Sequence, residues 1–193
     1  MEQFYTIQGE GHYAGTAAYF IRLGGCDVGC VWCDVKESWD AEAHPLIAVE
    51  TLVETAAASD APCCVITGGE PAMYDLTTLT LALKQKGLRV HIETSAAHPI
   101  RGQFDWICIS PKKFKFPLET EMEKAHELKI IVFNKSDFEW AEKWAQEVAP
   151  DCLCMLQPEW DKRDDIMPLI VDYVKSNPRW KISLQTHKYL GVP

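Results

Sequence analysis

Two periods of apolar residues divide this chain. Short runs that alternate or stay apolar throughout read as strands, and longer runs with helical spacing read as helices. The segments 17–23 ("AAYFIRL"), 63–67 ("CCVIT"), 88–94 ("LRVHIET"), 105–110 ("DWICIS"), 129–133 ("KIIVF"), 152–157 ("CLCMLQ") and 180–186 ("WKISLQT") predict seven strands. Helices are predicted over 49–59, 75–86, 119–128, 137–148 and 166–176. Asp75 stands where it can cap the second of these, Gly87 where it can stop it, and Pro168 near the start of the last.

Strands that alternate with helices imply a parallel sheet covered by helices. A closed eightfold barrel takes about 250 residues, and this chain has 193. The expected fold is therefore α/β: an incomplete, TIM-type barrel of about seven mostly parallel strands with flanking helices. No linker, repeat or low-complexity tract interrupts residues 1–193, so a single domain is expected. The polar motifs fall after the strands: a cysteine loop after the first, "TGGEP" after the second, then "ETS", "SPK", "NK", "QPE" and "QTHK". In parallel α/β folds functional groups gather at those strand ends.

Composition narrows the classes. The net charge of -9 argues against a nucleic-acid binder held by phosphate contacts, although the basic "PKKFKF" suits a small anion. No charged start leads into an apolar leader, and no run approaches the roughly 20 apolar residues of a membrane span. A cytoplasmic protein without membrane or nucleic-acid partners is expected.

Of 8 cysteines, Cys63, Cys64, Cys108, Cys152 and Cys154 lie in apolar runs, where a free thiol packs as a small core residue. Cys26, Cys30 and Cys33 instead crowd a glycine-flanked loop, "GGCDVGCVWCDV", and three thiolates so spaced suit zinc or an iron–sulfur cluster. His12 or His44 would be needed to complete a zinc site, and Cys63 or Cys64 to complete a four-cysteine cluster. A binding module without chemistry of its own remains an alternative on these grounds.

The C-x3-C-x2-C spacing, with Trp32 before the last cysteine and "TGGEP" after the next strand, resembles the radical S-adenosylmethionine (SAM) superfamily. The resemblance implies a [4Fe-4S] cluster on Cys26, Cys30 and Cys33. The methionine end of SAM then fills the fourth iron position, and one-electron cleavage yields a 5'-deoxyadenosyl radical. Within that superfamily "FYTIQGEG", "YFIRLGGC", "WCD", "SPK" and "QTHKYLGVP" together resemble the 7-carboxy-7-deazaguanine synthases, from Phe4 to Pro193. Activating enzymes of glycyl-radical proteins share the short cysteine motif but not these terminal signatures. A radical enzyme for another small heterocycle shares the cluster motif alone.

That resemblance implies conversion of 6-carboxy-5,6,7,8-tetrahydropterin to 7-carboxy-7-deazaguanine with loss of ammonia. It implies SAM contacts at Trp32, Asp34, Gly68, Gly69 and Glu70. Further SAM contacts are implied at Glu93, Ser95, Ser110, Pro111, Lys112 and Gln157. The pterin would be read by Ile7, Gln8, Gly9, Glu10 and Thr67, its carboxylate held by the planar fork of Arg22, and the pocket closed by His187 and Pro193. A one-electron donor such as a flavodoxin or ferredoxin and a homodimer belong to the same expectation. One position departs from the family. Cys-Asp-Thr is usual there, the threonine helping to bind magnesium, whereas this chain has Cys33-Asp34-Val35. Magnesium is thus an open expectation, with the Lys36 ammonium as its possible replacement.

Overall fold

The computed structural model describes residues 1–193. One eight-stranded sheet runs in the order of the chain: β1 (Glu2–Ile7), β2 (Ala17–Leu23), β3 (Cys63–Gly68), β4 (Arg89–Thr94), β5 (Trp106–Ile109), β6 (Glu127–Val132), β7 (Leu153–Pro158) and β8 (Trp180–Ile182). All neighbours pair in parallel except β1, which lies antiparallel against β2. The helices are α1 (Val49–Ala57), α2 (Thr77–Gln85), α3 (Glu119–Met122), α4 (Asp137–Ala145), α5 (Arg163–Ser176) and α6 (Thr186–Leu190). The sheet order ends at β1 and β8 without pairing them, so the barrel is open.

The central strands are apolar almost without break because helices and the barrel interior bury both of their faces. Cys64, Val65 and Ile66 of β3, and Leu128, Ile130 and Val132 of β6, are all fully buried. Trp144 of α4 and Trp180 of β8 fill the space between helices and sheet.

Four expectations are corrected. There are eight strands, not seven: β1 is a half-exposed edge strand of mixed polarity ("EQFYTI"), held by its ladder to β2 rather than by an apolar run. The helix expected over 119–128 stops at Met122, because Glu127 and Leu128 pair with Cys108 and Ile109 and extend β6 towards its N-terminus. The strand expected over 180–186 ends at Ile182, and Thr186 already begins α6. Helix α5 starts at Arg163, which places Pro168 inside the helix rather than near its start. Asp75 lies one residue before the cap of α2, yet its carboxylate still accepts from the Thr77 N–H at 3.0 Å.

The loop 8–16 between β1 and β2 turns inward under the strands. The Gly11 N–H donates to Ser183 Oγ at 2.9 Å, and the His12 N–H to Glu127 Oε2 at 3.1 Å. This loop plugs the end of the open barrel where β5 and β6 begin, leaving a cleft at the opposite, C-terminal ends.

Candidate active site

The cleft has a volume of about 500 Å³. One wall is the cysteine loop. Its entry is fixed by backbone bonds from Gly25 N–H to Ser38 O at 2.7 Å and from Cys26 N–H to Trp39 O at 3.1 Å. Val28 and Cys30 pack on Ala97, with Cys26, Trp32 and Cys33 around them. Asp27 is anchored from outside by Lys115 at 2.5 Å and His98 at 3.0 Å. Burial pushes the Cys30 thiol up to about 11 and raises that of Cys26 as well. Both thiols therefore keep their protons near neutrality until a cation displaces them.

The end of β3 meets this loop edge to edge. The Gly69 N–H donates to Leu23 O at 3.0 Å and the Glu70 N–H to Gly25 O at 2.8 Å. A Cβ on Gly69 would stand only 2.8 Å from Cys26 Cβ, so glycine is required by the close approach. The Glu70 side chain turns away from this contact. Its carboxylate accepts from Ala72 N–H at 2.9 Å, Ser95 N–H at 2.8 Å, and the hydroxyls of Thr94 and Ser95. A buried carboxylate with four donors on it is a structural hub, so an ammonium bound at this turn would meet the backbone of the Gly-Gly-Glu segment.

The opposite wall carries charge. Lys129 of β6 is almost wholly buried, and its ammonium lies 2.6 Å from Glu10 Oε2 and 2.8 Å from Glu93 Oε2. Gln185 Nε2 donates to Glu10 Oε1 at 2.9 Å, and Gln8 Nε2 to Glu93 Oε1 at 3.2 Å. Burial alone would push the Glu10 carboxyl up, but Lys129 and the amide donors together hold it down to about 2. Glu93 goes the other way: burial, with Glu127 and Glu10 nearby, outweighs Lys129 and raises it. His187 lies against Gly9, close enough that a Cβ there would meet its Cβ at 2.6 Å. Burial lowers the His187 pKa, which leaves the ring neutral at pH 7.

Of the site residues that the family resemblance implies, all but one line this cleft. Pro111 is the exception, buried beside Ser110 and Lys112 without facing it. Lys112 donates to Ser110 O at 2.8 Å and to the Ser110 hydroxyl, and lies over the Trp32 ring at 5.6 Å. Several are already engaged by protein partners: Arg22 pairs with Glu2 at 2.7 Å, Asp34 with Lys188 at 3.0 Å, and Gln157 Oε1 accepts from Ser183 Oγ at 2.7 Å. Pro193 O accepts from Thr6 Oγ1 at 3.2 Å.

Lys129, Gln185 and Lys188 were missed as cleft residues. For Lys129 a signal existed: a lysine inside the apolar run of β6 must find acidic partners if it is buried.

The alternatives for a fourth thiol or imidazole ligand do not fit. Cys63 and Cys64 sit at the far, N-terminal end of β3 from Gly69. His12 stacks on Trp106 below the sheet, and His44 bonds Glu37 O at 2.8 Å. No three His, Cys, Asp or Glu side chains close on a single ion. The donor set is three thiols on one loop facing a cleft. That suits a cluster with one iron left open to a ligand better than a closed zinc site.

A model of the radical SAM superfamily matches residues 20–141. A 7-carboxy-7-deazaguanine synthase of Flavobacterium psychrophilum is 56% identical over 193 residues, covering 100% of this chain and 91% of that protein. One from Synechocystis is 49% identical over 191 residues, 99% of this chain and 91% of that one. The crystal structure of QueE from Escherichia coli matches with a TM-score of 0.84 at 33% identity, over 96% of this chain and 92% of that chain. Streptococcus suis SuiB, at 13% identity and a TM-score of 0.58 over 84% of this chain and 47% of its own, shares the fold.

Proposed function

The chain belongs to the 7-carboxy-7-deazaguanine synthases of the radical SAM superfamily, and from that premise we propose that it contracts 6-carboxy-5,6,7,8-tetrahydropterin to 7-carboxy-7-deazaguanine in deazapurine biosynthesis. The carrying observation is the three-cysteine loop packed on the Gly68–Gly69 turn, facing a wall of carboxylates and amides across one cleft.

Cys26, Cys30 and Cys33 hold the [4Fe-4S] cluster that membership implies. Bound there, cluster and SAM supply the one-electron chemistry that removes a hydrogen atom from the substrate. The protein's residues do the rest. Gln8, Gly9, Glu10 and Thr67 read the pterin edge, with Ile7 beside them, and Arg22 leaves Glu2 for the substrate carboxylate. His187 and Pro193 cover the pocket. Trp32, Asp34, Gly69, Ser110, Lys112 and Gln157 line the SAM side.

Magnesium finds little here. Val35 has no side-chain oxygen, and its carbonyl already accepts from Ser38 N–H at 3.0 Å and Ser38 Oγ at 2.6 Å. Lys36 lines the cleft and has no acidic partner within salt-bridge distance, so its ammonium takes the place of the metal charge beside the substrate carboxylate. A flavodoxin- or ferredoxin-type electron donor and a homodimer complete the proposal. The homodimer is supported by the unpaired β1 and β8 edges with exposed Tyr5, Ile182 and Leu184.

The test is an anaerobic assay of the reconstituted protein with reductant, SAM and the carboxytetrahydropterin, with and without magnesium. Deazaguanine is expected in both lanes. 5'-Deoxyadenosine without deazaguanine rejects the substrate. Undiminished activity of Lys36→Ala in metal-free buffer rejects the role of Lys36.

A further inference from the structure

Lys129 is the one cation buried in the cleft wall opposite the cysteine loop, and the surrounding groups give it a task that packing does not explain. Its ammonium is shared by two carboxylates from different elements, Glu10 of the β1–β2 loop at 2.6 Å and Glu93 at the end of β4 at 2.8 Å. Both carboxylates keep about a fifth of their side-chain surface open, while Lys129 keeps 4%. The cation therefore sits behind the acids, and the acids face the cleft. An ionised carboxylate has about four acceptor positions. Glu10 uses one oxygen for Lys129 and the other for Gln185, which fixes its plane and leaves acceptor capacity directed into the cleft.

We propose that Lys129 is a positioning residue for substrate recognition. It keeps Glu10 ionised and oriented as the acceptor for ring N–H donors of a 2-amino-4-oxo heterocycle, which it does not itself touch. The inference rests on the pterin reading above. Two buried carboxylates without their shared cation do not both stay ionised. Loss of Lys129 removes the fixed acceptor even if the fold survives. The groups facing Glu10 and Lys129 are Glu93 from β4, Cys108 from β5, Lys112 after β5, Glu127 at the start of β6 and His187 from α6. Lys112 is the only other amine among them, and it is committed to Ser110.

The test uses the cluster-loaded protein with SAM and no reductant, so that substrate binds without turnover, and calorimetry of carboxytetrahydropterin binding from pH 5.5 to 8. The wild type should bind with nearly constant affinity across this range. Lys129→Met should bind at least tenfold more weakly at pH 5.5 and recover part of the loss at pH 8, as Glu10 ionises without its cation. Glu93→Gln/Lys129→Gln removes one charge of each sign and spares the fold a doubly unpaired acid pair. It should lose affinity in the same pH-dependent sense but by less than Lys129→Met, because Glu10 then lacks its cation without facing Glu93 as a second acid. A weakening that is the same at every pH, or affinity within twofold of wild type throughout, overturns the positioning role. Absence of binding by the wild type overturns the pterin reading itself, and the role of Lys129 with it.

Discussion

At the scale of single residues, the cleft separates groups that face the ligand from groups that hold its walls. Glu70 belongs to the second kind. Its carboxylate accepts from two backbone N–H groups and two hydroxyls, so in Glu70→Gln an amide NH2 must oppose at least one fixed donor. An unmade buried bond of this kind costs about 2 kcal/mol, a fall in Tm of roughly 4–8 °C for a chain of this size. A melt within 1 °C of wild type sinks the hub assignment. Glu10 makes the matching prediction for pH. Against its burial, Lys129 and the amide donors hold its carboxyl down to about 2 in the fold against 4.5 in an ordinary environment, so its contribution is present above pH 4.5 and is lost as pH falls towards 2. Glu10→Gln should be less stable than wild type at pH 7 by about 2 kcal/mol, with the gap closing between pH 4.5 and 2 in urea titrations. These two acids also show where sequence stops informing. "GGE" and "QGE" mark both as strand-end groups, but only packing shows that one is consumed by its neighbours while the other faces the cleft. Lys129 was legible in principle, as a charge within an apolar strand, yet its partners lie 119 and 36 residues away.

At the scale of elements, the strands that the sequence marks clearly are those buried on both faces, since only they read as continuous apolar runs. Strand β2 falls where "AAYFIRL" places it, residue for residue. Strand β1 escapes because an edge strand needs one partner and no apolar face, and "EQFYTI" has neither alternation nor a run. Strand β6 is misplaced at its start because the helix-forming "EMEKAHEL" is overridden by pairing with β5 and β7. The site depends on the junction of two well-marked elements. Leu23 at the end of β2 and Gly25 just beyond it accept from Gly69 and Glu70 after β3, so the cysteine loop is seated on the glycine turn. Gly69→Ala should push that loop aside and lower cluster retention several-fold, read as iron per chain after anaerobic desalting, while the far-UV circular dichroism stays unchanged. Full iron content in this variant means the loop holds its cluster without the turn.

At the scale of the whole molecule, an open barrel has to close its active end by something other than a strand, and α6 with the residues after it performs this. The segment buries no residue of its own, so it adds little to the core. It is tied instead to three separate parts of the cleft: Thr186 N–H and Oγ1 donate to Gly9 O at 2.8 and 2.9 Å, Lys188 pairs with Asp34 in the cysteine loop at 3.0 Å, and Tyr189 packs edge-on against Trp160 after β7. Contacts that bridge elements without burying apolar area stabilise a geometry more than a fold. The exposed ion pair contributes at most about 1 kcal/mol, and the two bonds to Gly9 about 1 kcal/mol each. Deleting residues 186–193 should therefore lower Tm by only a few degrees and leave iron content intact, while KM for the pterin rises at least tenfold. A truncated protein that loses its cluster or its cooperative melt instead would show that closure and folding are one event in this chain. One that keeps wild-type KM would place the cover of the pocket elsewhere, on the cysteine loop itself.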